Sequence, residues 1–310
     1  MLVIIKAGGV CVALDPSHPH SQLVEIAKNV NAHNILASAT YADQFADVAQ
    51  RVIVVGHGTL EDLKTAQFDE SIVLRTSPVQ PHNAAFVVFT SGSTGKPIGI
   101  VLEHDAVASS VKTHGNAIMV GKNSRVIQFA AYMFDVSIED LFTTLMRGGT
   151  VYVPSKSEKM NYLTGALKKY RANWACLTPT VASMLTLEDV VDMSFIALGD
   201  EGVRKETVET FADHTWSRQR NLIKGPLLAR HYLHEPEHTA ASSIEDPAFL
   251  KGSGQSGRRT YLSGDLRRYN YDGSVSFVRR KDVQVKIRGN RIELGEISST
   301  YGTIPRFDML

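Results

Sequence analysis

Residues 84–97 read AAFVVFTSGSTGKP, an apolar run that ends on four hydroxyls, two glycines and a lysine. Six apolar residues without interruption predict a buried strand. The polar stretch behind it, Thr90, Ser91, Gly92, Ser93, Thr94, Gly95 and Lys96, supplies what a polyphosphate requires. Glycines let backbone N–H groups approach the anion, hydroxyls add donors, and the lysine adds charge. The spacing is not that of a Walker A loop, and Pro97 follows the lysine directly. A Ser/Gly linker, the bland alternative, rarely carries a lysine–proline stop right after a buried strand. A helix is expected from about residue 105.

On either side of this segment, short β-branched runs alternate with amphipathic stretches. Strands are expected at 10–14, 35–37, 52–55, 86–89, 126–129 and 150–153, and helices at 21–30, 106–120, 138–146 and 163–170. This alternation predicts an α/β fold with a largely parallel sheet. Past residue 240 the texture changes. GSGQSGRR at 252–259 reads as an exposed loop. Short strands are expected at 260–262, 268–270, 275–279 and 283–287, with Tyr271, Asp272 and Gly273 as a hairpin turn. A domain boundary is expected near Asp282, dividing the chain into 1–281 and 282–310.

The 310 residues suffice for one large domain or two, and 43% hydrophobic against 21% charged residues is a globular balance. Lys plus Arg number 33 and Asp plus Glu 32, which gives no electrostatic case for nucleic acid or an anionic membrane. The two cysteines, Cys11 and Cys176, are far apart and indicate neither a disulfide framework nor a zinc–thiolate site. A reducing, cytoplasmic location is expected. No stretch approaches the roughly 20 apolar residues of a membrane span.

Two motifs mislead. His234-Glu235-Pro236-Glu237-His238 matches the HExxH pattern of zinc proteases, but Pro236 disfavours the helix that would align both imidazoles. Gly252, Gly254 and Gly257 spell GxGxxG, yet arginines and a further strand follow where a helix should open.

FTSGSTGKP followed by GIVLEH closely resembles the phosphate-loop motif of the adenylate-forming superfamily. Other blocks fall in that family's order: IKAGGVCVALDPSHP (5–19), FDVSIEDLFTTLMRGG (134–149), LTPT (177–180), ALGDEGV (197–203), YLSGDL (261–266) and RRKDVQVKIRGNRIELGEI (279–297). The last resembles the hinge block of the nonribosomal peptide synthetase branch. The chain is therefore identified as similar to an incomplete adenylation domain of such a synthetase. The implied architecture is the α/β N-terminal core of adenylate-forming enzymes plus the first strands of the small C-terminal subdomain.

The resemblance also implies roles. Lys96 and its loop would hold the β- and γ-phosphates of ATP. Asp265 and Arg280 would contact the ribose, a carboxylate being well suited to accept two hydroxyl bonds. Asp282 would be the hinge. Asp135 would pair with the amino group of an amino acid, although an aspartate before a helix also reads as an N-cap. Val136, Glu139, Cys176, Ala197 and Gly199 would line the pocket. Glu139 stands where many family members are apolar, and if it points inward it hints at a basic or polar substrate side chain. The implied cofactors are ATP and Mg2+, with phosphopantetheine on a partner carrier domain. Implied partners are peptidyl carrier and condensation domains, with neither nucleic acid nor membrane.

The pattern departs from the family between residues 201 and 225, where relatives carry several dozen more residues, including an aromatic-Gly-Pro-Thr-Glu block that stacks on adenine and supplies a metal-binding glutamate. The catalytic lysine of the C-terminal subdomain is also absent. Ile98 stands in place of a second lysine, and Asp200 in place of a common glycine. Weak or absent adenylation by the isolated chain is expected, the alternatives being a nucleotide-binding remnant or an acyl-CoA or aryl-acid ligase.

Overall fold

The computed structural model describes residues 1–56, 58, 61, 79–91, 96–201, 215–217, 223–224, 228–245, 259–263, 265–269, 275–280, 284–287 and 290–293. Its centre is a five-stranded sheet, parallel throughout, in the order Thr150–Tyr152, Arg125–Ile127, Trp174–Leu177, Phe195–Leu198, Thr215–Ser217. Parallel neighbours need crossovers. Asp135–Ile138 and its continuation supply one, and Leu163–Tyr170 another.

Strand periodicity explains why this sheet is buried on both faces. Ile127, Ala175 and Ile196 pack with Ala166 and Leu167 of the helix Leu163–Tyr170. The adjacent residues, Val126, Trp174 and Phe195, form the opposite layer with Ile118 and Val120. There Trp174 and Phe195, register partners, stack with ring centroids 5.7 Å apart, and the Trp174 Nε1–H donates to the Ile118 carbonyl at 2.8 Å.

The strand after which the sequence was first read does not join that sheet. Ala84–Ser91 pairs antiparallel with Pro97–Glu103, which pairs in turn with His231–Tyr232. A largely parallel fold is thus corrected to a parallel sheet beside an antiparallel one. Pro97–Glu103 escaped the sequence reading because Pro97 and Gly99 occupy two of its buried positions, where β-branched residues would signal a strand. The expected strand at 10–14 is also corrected. Only Cys11 bridges, to Phe86, with the Cys11 N–H donating to the Ala85 carbonyl at 2.8 Å.

A smaller unit near the N-terminus pairs Asn34–Ala37 with Arg51–Val54 in parallel under the helix His20–Asn29, whose Leu23 and Ala27 pack on Ile35, Ala37 and Phe45. Late in the chain, Ile223–Lys224 and Ser243–Glu245 flank Arg259–Tyr261. Two antiparallel pairs follow, Asp265–Tyr269 with Val275–Arg280 and Gln284–Ile287 with Asn290–Glu293. The expected turn at 271–273 and Asp282 lie outside the described residues, as does the expected loop at 252–259 apart from Arg259, which instead opens a strand. No helix among the described residues is long and apolar enough to cross a membrane.

Candidate active site

Thr90 and Ser91 end one strand and Pro97 begins the next, with Ser91 and Pro97 as the last register pair. Residues 92–95 lie outside the described residues, and Lys96 is exposed at the start of the returning strand. The phosphate-loop segment is therefore the connection of an antiparallel hairpin rather than a strand-to-helix turn. The helix expected near residue 105 begins at His104, one full strand later.

Asp265 and Arg280, both nominated for the ribose, are register partners across the hairpin. The same block is tied to the antiparallel sheet. The Tyr261 and Tyr232 hydroxyls lie 3.1 Å apart, Arg259 donates to the Arg230 carbonyl, and Arg230 Nε donates to Glu103 at 2.6 Å. Sequence reading missed Arg230 and Glu103, because a pair 127 residues apart leaves no local signal.

The substrate candidates gather at the carboxyl ends of the central strands, where ligands bind in open α/β sheets. Cys176 and Ala197 are register partners, and the Gly199 N–H extends their ladder by donating to Leu177 at 3.1 Å. A side chain at Gly199 would meet open space. Asp200 adopts φ +67°, the left-handed conformation that makes glycine the usual residue there and that aspartate tolerates better than most. Glu201 behind it accepts from the Thr180 N–H at 3.1 Å and from the Thr180 hydroxyl.

Asp135 is the first residue of a helix whose cap is Phe134, and its Oδ1 accepts from the Val136 N–H at 3.0 Å. That helix widens into a π-helical segment, Glu139–Thr143, before Thr144–Met146 closes it. Such widened turns recur at functional sites. Asp135 and Glu139 face a cavity of about 140 Å³, with Leu102, Val107 and Val111 on its other side. Glu139 meets His114 there, Oε2 to Nε2 at 3.1 Å.

Electrostatics connect the two groups. The Cys176 thiol is pushed well above its ordinary pKa, first by burial and then by the charges of Asp140, Glu139, Asp200 and Asp135. Asp140, which the sequence reading did not single out, is 1% exposed, and among the described residues neither of its oxygens has a hydrogen-bond partner of good geometry. Burial, then Glu139, raises its pKa well above the carboxylate range, while Lys159 and the Phe129 N–H act in the opposite direction. Lys159 donates to Gln128 at 2.5 Å and lies over the Tyr132 ring.

A larger cavity, about 330 Å³, opens at the amino ends of the same strands, against Trp174 and Phe195. Its polar rim is already engaged: Asn173 accepts from the Arg125 N–H and donates to the Asn123 carbonyl. It is the weaker candidate. At the HExxH sequence the helix starts only at Pro236, whose missing N–H is tolerated in the first turn, so no helical turn aligns the two imidazoles. His234 stays outside that helix at φ +59° and its Nε2 lies 3.0 Å from the Asn29 carbonyl, while His238 packs edge-on against Tyr232.

A protein-family model described as AMP-binding enzyme matches residues 1–223. The chain is 37% identical to the nonribosomal peptide synthetase atnA of Emericella nidulans over 353 aligned positions, covering 96% of this chain and 5% of that protein. To the N-benzoylphenylalaninol synthetase apmA of Penicillium brevicompactum it is 34% identical, covering 96% of this chain and 14% of that protein. It thus spans a small part of the length of these relatives. Among solved structures, the Vibrio cholerae adenylation domain AlmE in complex with glycyl-adenosine-5'-phosphate aligns with a TM-score of 0.78 at 17% identity, covering 95% of this chain and 70% of that one. Holo-PA1221, a synthetase protein containing adenylation and PCP domains, aligns with a TM-score of 0.75 at 17% identity, over 98% of this chain and 60% of that one. At these identities the likeness carries the fold, the α/β core of adenylate-forming enzymes.

Proposed function

Because the chain belongs to the AMP-binding enzyme family, and is similar over nearly its whole length to nonribosomal peptide synthetases, we propose that it binds ATP and activates an amino acid as its aminoacyl-adenylate. The observation that carries this reading is that Cys176, Ala197 and Gly199 stand at the carboxyl ends of one parallel sheet, while Asp135 and Glu139, on the crossover helix after Arg125–Ile127, border a cavity. An acceptor for an amine belongs in such a crevice.

In this reading the amino acid carboxylate attacks the α-phosphorus of ATP. A P–O bond forms to the acyl oxygen, the bond to the bridging oxygen breaks, and pyrophosphate leaves with that electron pair. The protein's part is positioning and charge neutralisation. Asp135 holds the α-ammonium, which orients the carboxylate. Lys96 neutralises the leaving pyrophosphate, and Asp265 with Arg280 fixes the ribose. The fit to Mg2+ is partial: no group of three or more potential ligands occurs among the described residues. The ion would sit mainly on nucleotide phosphates and water, as Mg2+ commonly does. Loading onto phosphopantetheine of a carrier domain, beside a condensation domain, would complete the role.

A second reading, a nucleotide-binding remnant, is favoured by one observation. The alignment with atnA runs over 353 positions, more than the 310 residues of the chain, so the relative carries positions with no counterpart here. Amino-acid-dependent ATP–pyrophosphate exchange across a full amino acid panel separates the readings. Exchange with one amino acid establishes activation, and nucleotide binding without exchange establishes the remnant.

A further inference from the structure

Two parts of the chain nominated for the same nucleotide lie far apart in sequence: Lys96, directly before the strand Pro97–Glu103, and Asp265 with Arg280 on the late hairpin. The short strand His231–Tyr232 links them. It pairs with Val101 and Ile100, and its flanks extend the ladder, the Arg230 N–H donating to the Val101 carbonyl at 2.8 Å and the Leu233 N–H to the Gly99 carbonyl at 2.7 Å. The approach is close: a Cβ on Gly99 would lie 3.2 Å from that of Leu233. From this strand the Tyr232 side chain reaches Tyr261, four residues before Asp265, and the two hydroxyls lie 3.1 Å apart.

We propose that Tyr232 is a positioning residue for the nucleotide: its hydroxyl contact with Tyr261 fixes the spacing between the hairpin that follows Lys96 and the hairpin that carries Asp265 and Arg280. This rests on the ATP binding proposed above and adds the residue that makes its phosphate and ribose ends act together.

Three observations support it. The Tyr232 ring is held: it packs edge-on against His238 with centroids 4.3 Å apart, and the residue's own N–H donates to the Thr239 hydroxyl at 3.0 Å. Both tyrosines are half-buried, where ring packing alone would be served by phenylalanine. A hydroxyl drawn from water there is offset only by a directed partner. A second brace ties the same segments: Arg259 donates to the Arg230 carbonyl, and Arg230 donates to the His82 carbonyl and, at 2.6 Å, to Glu103. The link is also short, since Ile100, the register partner of Tyr232, is four residues from Lys96, as Tyr261 is from Asp265. A ligand that reaches two subsites held at a fixed span gains effective concentration for its second contact.

The test is binding of labelled ATP to the whole chain, with unlabelled ATP, adenosine and inorganic tripolyphosphate as competitors. Tyr232→Phe, and Tyr261→Phe from the other side of the same contact, should each weaken ATP about threefold to tenfold, the worth of one hydrogen bond. Adenosine, which reaches only the ribose end, and tripolyphosphate, which reaches only the phosphate end, should keep their inhibition constants. The double substitution should cost ATP no more than either single one, because the same contact is lost in all three. A merely structural tyrosine would lower the melting point and weaken all three ligands alike, and that result overturns the proposal. An unchanged ATP affinity in both variants, or additive losses in the double one, overturns it as well and leaves ATP binding itself standing. A folded parent that binds no ATP overturns both.

Discussion

Asp265 and Arg280 are register partners at one end of an antiparallel hairpin, although fifteen positions separate them in sequence. Partners in such a ladder have Cα atoms only about 4.5–5.5 Å apart, so two residues assigned separately to one sugar are neighbours in the backbone. Asp265→Asn and Arg280→Gln should each weaken ATP binding about tenfold. Together they should cost less than the sum, with a coupling of about 0.5–3 kcal/mol. A double-mutant cycle by calorimetry measures this, and strict additivity would show that the two act on different parts of the nucleotide.

Lys96 is exposed. Lys96→Ala should therefore leave unfolding within about 0.5 kcal/mol of the parent, while ATP affinity falls about tenfold to a hundredfold. Adenosine, which has no phosphate, should bind both proteins alike. A parallel loss for adenosine would remove the lysine from the phosphate role.

Asp140 carries a pH prediction. Its folded pKa is raised, chiefly by burial, so the folded protein holds the proton more tightly than the unfolded chain. That contribution is fully present below the unfolded pKa and is lost as pH rises through the folded one. Asp140→Asn, which stays neutral, should stabilise the protein by about 1–3 kcal/mol at pH 8, with the advantage shrinking towards pH 4. Denaturant melts at both pH values decide it. An advantage independent of pH would mean that the carboxyl does not titrate with folding.

Trp174 combines an indole at 2% exposure, a stack on Phe195 and a hydrogen bond to the Ile118 carbonyl. Trp174→Phe keeps the stack and loses the donor, and should cost about 1–3 kcal/mol. Trp174→Ala should cost about 3–5 kcal/mol. A Trp174→Phe variant as stable as the parent would assign no weight to the hydrogen bond.

Two of the central strands were legible because the runs at 126–129 and 150–153 are short and apolar, whereas Trp174–Leu177, Phe195–Leu198 and Thr215–Ser217 were not among the expected strands. The strand Pro97–Glu103 was not, since Pro97 and Gly99 fill two buried positions and hide the alternation. Similarly, Cys11 makes a single bridge from an apolar segment that reads as a full strand. At the site, Asp135 and Glu139 were named through the resemblance of the block at 134–149 to the family's. His114 and Asp140 were not, because each takes its meaning from a neighbour brought in by folding: the one from Glu139, the other from desolvation between the helix and the sheet. The Asp265–Arg280 pairing needed the register, which the short apolar runs do not specify by themselves.

The hairpin that presents the phosphate-loop segment has one further consequence. Its two strands are zipped up to Ser91 and Pro97, so the ladder, rather than the five residues between them, holds the ends in place. Substitutions among those five can then alter affinity for an anion while the scaffold's melting point stays where it is. Such a segment is free to drift or to be redesigned, and its loss of function in a lineage would leave no trace in foldedness.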